Sequence, residues 1–453
     1  MSDMPKRTLS ALHPWELYSA DLEVEYRQSV EEGKDVAAYK PLIDAVSALP
    51  LSEEKEALAD SVFSLIYKAP QVEGYAYEEP SDLKSIQALR DGYTVKGDRP
   101  ADDILRDKLT GAWAGRVCGC MLGKPVEGVR TPGIVEFFQK TGNWPIRRYA
   151  LSTDMLPGLE NNDVYKRLKN TGWYPDTIDY APWDDDTNYT ALAAAIVDTY
   201  GRDFTPENVM ESWLSRQPKT AYCTAERAAM RNFTLGYCPP DSAVYKNPYR
   251  EWIGAQIRGD YFGYINPGDP ETAADMAWRD ASISHVKNGI YGEMFIAAML
   301  AAAAVTDDIP SVIRAGLGQI PSTSRLYAAC KKVLTDWENG VSEEALFADI
   351  HKRWDEYFAH DWCHTISNAE IVTAVLLYEK SYADVIGKAV MQGFDTDCNG
   401  ATAGSIYGML HGSAAIGEEW VKPIGGTVDT TIVGVGCTTV EGLVDKMMGH
   451  IAK

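Results

Sequence analysis

The sequence predicts an all-α protein in which a compact domain of orthogonally packed helices follows a helical N-terminal extension. Three observations favour this class. Runs rich in alanine and glycine recur along the chain, signals for helix starts and ends are frequent, and the alternating apolar and polar runs typical of strands are scarce. Because small residues let helices approach closely, we expect one large helical core.

Residues 1–101 are predicted to form the helical extension and a linker, and residues 102–453 the main domain. The extension contains SEEKEALADSVFSLIYKA, whose apolar residues recur at helical spacing. The polar stretch DGYTVKGDRPADD then favours a linker. Nothing in the extension has a catalytic pattern, so we expect it to serve packing or oligomerisation.

The main domain opens with a glycine-patterned helix. Gly115, Gly119 and Gly123 recur every four residues, which predicts a helix face that packs closely against a neighbour. Pro125 then predicts an extended turn that ends at Glu127. On its own, Glu127 is better explained as a cap or a surface acid than as a functional group.

Three consecutive carboxylates, Asp184, Asp185 and Asp186, precede an apolar, alanine-rich helix. One or two acids suffice to cap a helix and to complement its dipole. Three acids ahead of a buried helix repel one another unless a cation neutralises them. This cluster therefore favours a cation site, with capping as the alternative.

The next signals concern helix starts and histidines. Ser367 and Glu370 predict a capping box before IVTAVLLYEK. His360 and His364, in HDWCH, have the i, i+4 spacing of metal ligands but lack the glutamate that follows the first histidine in zinc proteases. We interpret both as structural histidines.

A second acidic cluster lies about two hundred residues after the first. Asp395 and Asp397, in GFDTDCNGATAGSIYGMLHG, flank a tight turn before a small-residue helix that is nearly free of charge. Hard oxygen ligands of this type suit Mg²⁺, Mn²⁺ or Ca²⁺ rather than Zn²⁺. If the two clusters meet, five carboxylates converge between helix-flanking loops, and a centre with two metal ions becomes plausible.

Composition excludes several classes of protein. Apolar residues make up 45% of the 453 residues, which is ordinary for a globular chain, and the net charge of −22 argues against nucleic acid or an anionic membrane as a partner. The eight cysteines are dispersed, the N-terminus has no apolar segment of signal-peptide length, and residues 294–305 form the longest apolar run. We therefore expect a cytoplasmic protein with reduced thiols.

Three motifs, taken in order, resemble those of the ADP-ribosylglycohydrolase family, which includes the dinitrogenase-reductase-activating glycohydrolases. GCMLGKPVEG resembles the family's Gly-Asp-x-Leu-Gly-x-Pro-x-Glu segment, and DDDTNYTALAAA resembles its Thr-Asp-Asp-Thr motif. GFDTDCNGATAGSIYGMLHG resembles the family's Gly-Gly-Asp-Thr-Asp-Thr segment, which is the most specific of the three. The resemblance spans roughly residues 104–435.

The resemblance implies an all-α domain that binds two Mg²⁺ or Mn²⁺ ions. By position, Asp185, Asp186, Asp395 and Asp397 match the family's metal-binding aspartates, and Glu127 matches the glutamate near the metal and the ribose.

Three positions depart from the family pattern. Asp184 stands in place of a liganding threonine and keeps an oxygen ligand, whereas Cys398 puts a soft atom where a threonine often ligates, and Cys120 replaces an aspartate. The candidate metal ligands are Asp184, Asp185, Asp186, Asp395, Asp397 and Cys398.

The central region, residues 247–295, resembles a bacterial branch of the family. His285 and Asn288 lie just before a predicted turn at residues 289–292, which contains Tyr291. These three residues and Glu127 are candidate substrate-binding residues. The aromatic residues before them suit either ring stacking or helix packing: Tyr249, Trp252, Tyr261, Phe262 and Tyr264.

The resemblance implies a metal-dependent hydrolase of an N- or O-glycosidic bond in an ADP-ribosyl or related ribosyl substrate. Asp185 or Asp395 would act as the general base, and Glu127 completes the candidate catalytic set. The substrate is an ADP-ribosylated protein or, alternatively, a small ribosyl metabolite or nucleoside-like compound. A third hypothesis, motivated by Cys120 and Cys398, is a non-catalytic module that binds ADP-ribose.

Overall fold

The computed structural model describes residues 6–95 and 97–451 and confirms the all-α prediction. Within this part of the chain, β-structure is confined to the short antiparallel pair β1 (Thr427–Val428) and β2 (Thr438–Thr439), apart from isolated bridges. None of the helices in these residues combines the length and the hydropathy needed to cross a membrane.

The helices are numbered in chain order. They are α1 (Leu22–Glu31), α2 (Lys40–Ser47), α3 (Glu53–Lys68), α4 (Leu83–Leu89), α5 (Asp102–Gly123), α6 (Thr131–Lys140), α7 (Asp163–Thr171), α8 (Asp185–Tyr200), α9 (Pro206–Arg216), α10 (Thr224–Thr234), α11 (Asp241–Val244), α12 (Asp260–Tyr264), α13 (Pro270–Ala281), α14 (Asn288–Ala303), α15 (Ile309–Leu317), α16 (Arg325–Glu338), α17 (Glu343–Arg353), α18 (Ala359–Cys363), α19 (Thr365–Tyr378), α20 (Tyr382–Met391), α21 (Thr396–His411), α22 (Glu418–Val421) and α23 (Val440–His450). Short 3-10 helices span Leu9–Ala11, Pro14–Glu16, Ala37–Tyr39, Lys124–Val126, Ser152–Asp154, Lys219–Ala221, Gln256–Arg258, Ser413–Ala415 and Lys422–Ile424.

Helices α5 and α21 pack backbone against backbone through glycines. A Cβ atom built on Gly115 or Gly119 would collide with the carbonyl oxygen of Gly404 or Gly400, and one built on Gly123 would collide with Thr396. The four-residue spacing therefore marks a close helix contact, as predicted. Because α21 begins at the second acidic cluster, this contact positions that cluster.

Helix α14 runs through the middle of the core, and every one of its residues is buried. The turn predicted at residues 289–292 is therefore wrong, because α14 already begins at Asn288. A Cβ on Gly289 would meet the carbonyl oxygen of Arg250, and one on Gly292 would meet the Thr365 hydroxyl. These glycines allow close packing inside a helix rather than a change of chain direction.

The extension has a small core of its own and docks onto the main domain through buried ion pairs. Its core consists of Leu22, Val36, Ile43, Val46, Ala59, Val62, Phe63 and Ile66. Arg250 of the main domain pairs with Glu25 at 2.7 Å and with Glu32 at 2.8 Å. Arg325 pairs with Glu79 at 2.9 Å. Removing one partner of such a buried pair typically costs about 3–5 kcal/mol, so the extension is firmly held.

The start of α19 differs from the prediction. The helix begins at Thr365, and the ring nitrogen Nδ1 of His364 caps it by accepting the backbone N–H of Ile366 at 3.1 Å. Ser367 already lies inside the helix, and Glu370 forms an ion pair with Arg353 at 2.6 Å instead. The capping-box prediction is wrong because His364, three residues before Ser367, provides the cap.

Candidate metal centre and cavity

The two acidic clusters come together at the floor of one cavity. One potential ligand atom from each of Asp186, Asp397 and Cys398 lies within 4.8 Å of the other two. The cavity has a volume of about 250 Å³, and its lining includes Asp184, Asp185, Asp395, Asp397 and Cys398. Segments about two hundred residues apart thus converge, because α8 and α21 both begin at this point.

Asp184 is already engaged by the protein. It is the N-cap of α8 and accepts the backbone N–H of Asp186 at 3.0 Å, while its other oxygen forms an ion pair with Lys124. This cluster therefore both caps α8 and contributes carboxylates to the cavity. Because Lys124 compensates the charge of Asp184, this carboxylate would attract a bound cation less strongly than the neighbouring aspartates would.

Asp186 divides its two oxygens between different tasks. Arg116, which is fully buried, donates to Asp186 Oδ1 at 3.0 Å and to the Asp186 carbonyl at 2.8 Å, and it also pairs with Asp260 at 3.0 Å. Asp186 Oδ2 is buried and has no hydrogen-bond partner among the described residues. The guanidinium thus fixes the carboxylate and leaves one oxygen available.

The start of α21 is held by amide side chains. Asn368 accepts the backbone N–H of Asp395 at 3.2 Å and a side-chain N–H of Asn399 at 2.7 Å. The Cys363 thiol lies 3.6 Å from Asp395 Oδ2, to which it donates a weak hydrogen bond. Asp397 Oδ1 is buried and, like Asp186 Oδ2, lacks a partner among the residues described.

Electrostatics indicate that the floor is short of positive charge. Burial, and then the neighbouring carboxylates, raise the pKa of Asp185 and of Asp397 well above the usual range. Burial also raises the pKa of Asp186, although Arg116 opposes the shift. Two unpartnered buried oxygens within such a cluster fit a divalent cation with hard oxygen ligands.

Cys398 is the least suitable member of the cluster. Burial raises the pKa of its thiol well above the usual range, and the surrounding aspartates raise it further. A protonated sulfur is a poor ligand for Mg²⁺ or Mn²⁺. The ligand set offered to a hard cation therefore rests on the aspartates.

Glu127 lies in the cavity wall beyond the aspartates. Its carboxylate forms an ion pair with Arg167, whose guanidinium also donates to the Glu127 carbonyl at 2.5 Å. The side chain is 37% exposed, so it remains accessible from the cavity. Arg167 holds it in one orientation.

Comparison with known proteins decides the family. The sequence profile of the ADP-ribosylglycohydrolase family matches residues 101–452, which is most of the chain. This chain belongs to the ADP-ribosylglycohydrolase family. Membership makes it a hydrolase of glycosidic bonds. A solved structure described as an ADP-ribosylglycohydrolase-related protein complex is 18% identical, with a TM-score of 0.48, and the match covers 77% of this chain and 98% of that one. No curated protein matches.

Three of the residues predicted to bind substrate lie outside the lining of this glycohydrolase cavity. Asn288 donates to Glu79 at 2.8 Å and accepts the backbone N–H of Leu326, and the Tyr291 hydroxyl donates to a carbonyl of the extension, that of Pro80. The structure thus gives Asn288 and Tyr291 contacts with the extension, and it places His285 behind another acid of the cavity wall. The central aromatics Tyr249, Trp252, Tyr261, Phe262 and Tyr264 are all buried, which agrees with the helix-packing alternative.

Sequence reasoning missed that acid, which is Glu226 of α10. Its carboxylate lines the cavity, pairs with Arg258 at 2.8 Å and lies 3.9 Å from His285. Burial raises the pKa of Glu226 to about 7, although Arg258 opposes the shift. Gly254 leaves room for this carboxylate, since a Cβ there would collide with it. Glu226 stands alone in TAERAAMRN, so no motif pointed to it.

A second cluster with metal-ligand residues does not suit a metal. Glu31 of the extension lies 3.1 Å from His360 Nε2 and 3.5 Å from His364 Nε2. However, Nδ1 of His360 accepts the indole N–H of Trp252 at 3.1 Å, and Nδ1 of His364 accepts the Ile366 N–H. Both rings therefore carry their proton on Nε2, where His360 donates it to Glu31 and where His364 faces Glu31 and Glu251 at 3.5 Å without a hydrogen bond. A metal-bound histidine instead donates from its other nitrogen. The two histidines help to dock the extension.

Proposed function

We propose that this glycohydrolase uses two Mg²⁺ or Mn²⁺ ions to cleave an N- or O-glycosidic bond in an ADP-ribosyl or related ribosyl substrate. The observation that carries the proposal is the pair of buried, unpartnered oxygens, Asp186 Oδ2 and Asp397 Oδ1, beneath a cavity lined by further aspartates. The ions would be held by Asp185, Asp186, Asp395 and Asp397. Asp184 would contribute as well, although it also forms an ion pair with Lys124.

The reaction follows from the groups that face the cavity. Bound divalent ions would supply Lewis-acid charge and would orient the ribose hydroxyls. Asp185 or Asp395 accepts a proton from the attacking water, as a general base must. Glu127, which forms an ion pair with Arg167, would bind the sugar. Positive charge develops at the anomeric carbon in an oxocarbenium-like transition state, and the surrounding carboxylates stabilise it.

A small ribosyl compound is the second candidate substrate, and the size of the cavity favours it. Its volume of about 250 Å³ is below the roughly 300–1,000 Å³ of pockets that enclose drug-sized ligands. A nucleoside-like compound is accommodated more fully than an ADP-ribosyl group attached to a protein.

The proposal is tested by incubating the protein with Mg²⁺ or Mn²⁺ and a panel of ribosylated proteins, nucleosides and nucleotides, with released ribose or ADP-ribose as the readout. Asp395→Asn removes one charge at nearly constant size, and we expect turnover to fall on the order of 10²-fold or more.

Asp82→Asn in the extension is the matched control. Asp82 caps α4 by accepting the Ser85 N–H at 2.9 Å, and asparagine caps equally well, so turnover should be unchanged. If the metal-loaded protein releases no sugar from any compound in the panel, the proposal is wrong.

A further inference from the structure

The cavity wall contains an indole that the family domain does not supply. Trp15 lies in the extension, yet it lines the same cavity as Asp184 and Glu127. The family profile begins at residue 101, so position 15 lies outside the region that the family shares. The extension therefore reaches the site directly.

The residue after Trp15 anchors it to the wall. Glu16 is buried and pairs with Arg227 at 2.5 Å and with Lys219 at 2.8 Å. Burial alone would raise the pKa of Glu16, but these two cations lower it, so the carboxylate stays charged and bound. Lys219 and Arg227 bracket a segment that forms part of the same wall through Thr220, Ala221, Cys223 and Thr224.

The backbone that carries Trp15 is also restrained. Trp15 lies in a 3-10 turn (Pro14–Glu16) whose first residue is proline, and His13 Nδ1 accepts the Trp15 backbone N–H at 3.3 Å. Proline restricts the backbone torsion at the start of the turn. Because this segment is already ordered, its backbone loses little conformational entropy when a ligand binds.

Among the described residues, three further tryptophans line the cavity with Trp15: Trp173, Trp183 and Trp362. Lys124 lies 4.5 Å from the centre of the Trp173 ring, which ties this aromatic wall to the acidic floor. The cavity lining thus combines acids that suit hydroxyl groups and a cation with indoles that suit a flat, apolar surface.

We propose that Trp15 is a substrate-binding residue contributed by the extension, and that with Trp173, Trp183 and Trp362 it stacks on a planar ring of the substrate. This inference rests on the proposed function, because it assumes that the sugar lies over the aspartates. The ring is either the group attached to the anomeric carbon or the adenine of an ADP-ribosyl unit.

Binding to the Mg²⁺-loaded protein, measured by titration calorimetry with three probes, tests the inference. ADP-ribose carries adenine away from the reacting carbon, pseudouridine carries a ring on the anomeric carbon through a carbon–carbon bond, and ribose 5-phosphate carries no ring. Stacking on one aromatic side chain is worth about 1–3 kcal/mol per base, so Trp15→Ala should weaken one ring-bearing probe about 10-fold. Trp15→Phe should retain most of the affinity, and ribose 5-phosphate should bind all variants equally.

Trp337→Ala, which removes a half-buried indole of α16 outside the cavity lining, is the matched control and should bind all probes like the wild type. If Trp15→Ala does not fold, Trp15→Leu keeps apolar volume without the ring and should show the same selective loss. The probe whose affinity falls shows whether the stacked ring is the group on the anomeric carbon or the adenine.

Three results would overturn the inference: the wild type binds neither ring-bearing probe, Trp15→Ala binds all probes with unchanged affinity, or Trp15→Ala loses the same affinity for all three probes. Release of sugar is measured separately. If a ring-bearing probe binds in a way that depends on Trp15 but the protein releases no sugar, only the proposed function is refuted. If the protein releases sugar and the affinity for ring-bearing probes does not depend on Trp15, only this inference is refuted.

Discussion

The carboxylate of Asp186 shows how one side chain can be both structural and available to a ligand. Arg116 compensates its charge through one oxygen, and the other oxygen stays buried without a partner among the described residues. Leaving such an oxygen unpaired costs about 1–3 kcal/mol, which a bound cation would recover. We therefore expect the aspartates, not the thiol of Cys398, to dominate cation affinity.

Cys398→Thr provides a direct test of that expectation. The substitution replaces a protonated sulfur with a hydroxyl oxygen of similar size, which Mg²⁺ prefers. We expect Mg²⁺ to bind several-fold more tightly in a calorimetric titration, and turnover at limiting Mg²⁺ to rise. Cys330→Thr, at a buried thiol of α16 outside the cavity lining, is the control and should leave Mg²⁺ affinity unchanged. Weaker Mg²⁺ binding by Cys398→Thr would contradict this ranking of ligands.

We expect Glu293 to make the stability of the fold depend on pH. It lies 3.5 Å from Arg258, which already pairs with Glu226 and Asp280, and both of its oxygens lack hydrogen-bond partners in the described residues. Burial, and then Asp280, raise the pKa of Glu293 well above its ordinary value. A raised pKa in the folded state stabilises the fold below the ordinary value, and this stabilisation is lost as pH rises through the folded-state pKa.

Glu293→Gln stays neutral at every pH, so its melting temperature relative to the wild type should increase with pH in thermal scans that cover about pH 5 to pH 9. Glu73→Gln, at an exposed carboxylate of the extension, should show no such trend in the same thermal scans. A Glu293→Gln difference that does not vary with pH would mean that Glu293 is charged in the folded protein throughout this range.

The glycines of α5 and α21 set the distance between the two helices. In Gly119→Ala the new methyl group would collide with the Gly400 backbone, which cannot move without shifting α21. We expect a loss of about 1–3 kcal/mol in the free energy of unfolding, typical of overpacking, together with weaker cation binding because Asp397 lies on α21. Denaturant unfolding and Mn²⁺ titration measure the two effects.

Gly449→Ala is the control on α23, where a Cβ would meet open space. It should leave cation binding unchanged and stabilise the helix by up to about 1 kcal/mol. Equal behaviour of the two variants would show that the contact between α5 and α21 tolerates a methyl group.

Spacing within one element predicted more than single polar residues did. The glycine repeat and the two acidic clusters are local patterns, so the sequence alone indicated a close helix contact and a cation site. The capping box at Ser367 failed because the competing cap, His364, depends on where the chain turns. Arg116, Lys124 and Glu226 were missed because each acquires its role from a partner at least thirty residues away.

The molecule as a whole should respond to metal. Without a cation the converged carboxylates must be protonated or must repel one another, so EDTA should lower the melting temperature and Mg²⁺ or Mn²⁺ should raise it. At a metal concentration 100 times the dissociation constant the stabilisation is about 2.7 kcal/mol, or about 3 °C for a chain of this length.

Differential scanning fluorimetry with EDTA, Mg²⁺ and Mn²⁺ gives this measurement, and Asp397→Asn should flatten the response. A melting temperature that changes with neither EDTA nor added metal would contradict a metal site at the cavity floor. The domain boundary near residue 101 stays a prediction, although α5 begins at Asp102 and the residues before it carry a separate small core.

The ion pairs of the extension also bear on the order in which the chain folds. Glu16 pairs with Arg227, 211 residues later, and Glu79 pairs with Arg325, 246 residues later. Contacts that close such long loops form slowly, and during synthesis the N-terminal segment emerges before its partners exist. We therefore expect the part of the chain that is made first to dock last, so that Trp15 joins the cavity wall only after the main domain has folded.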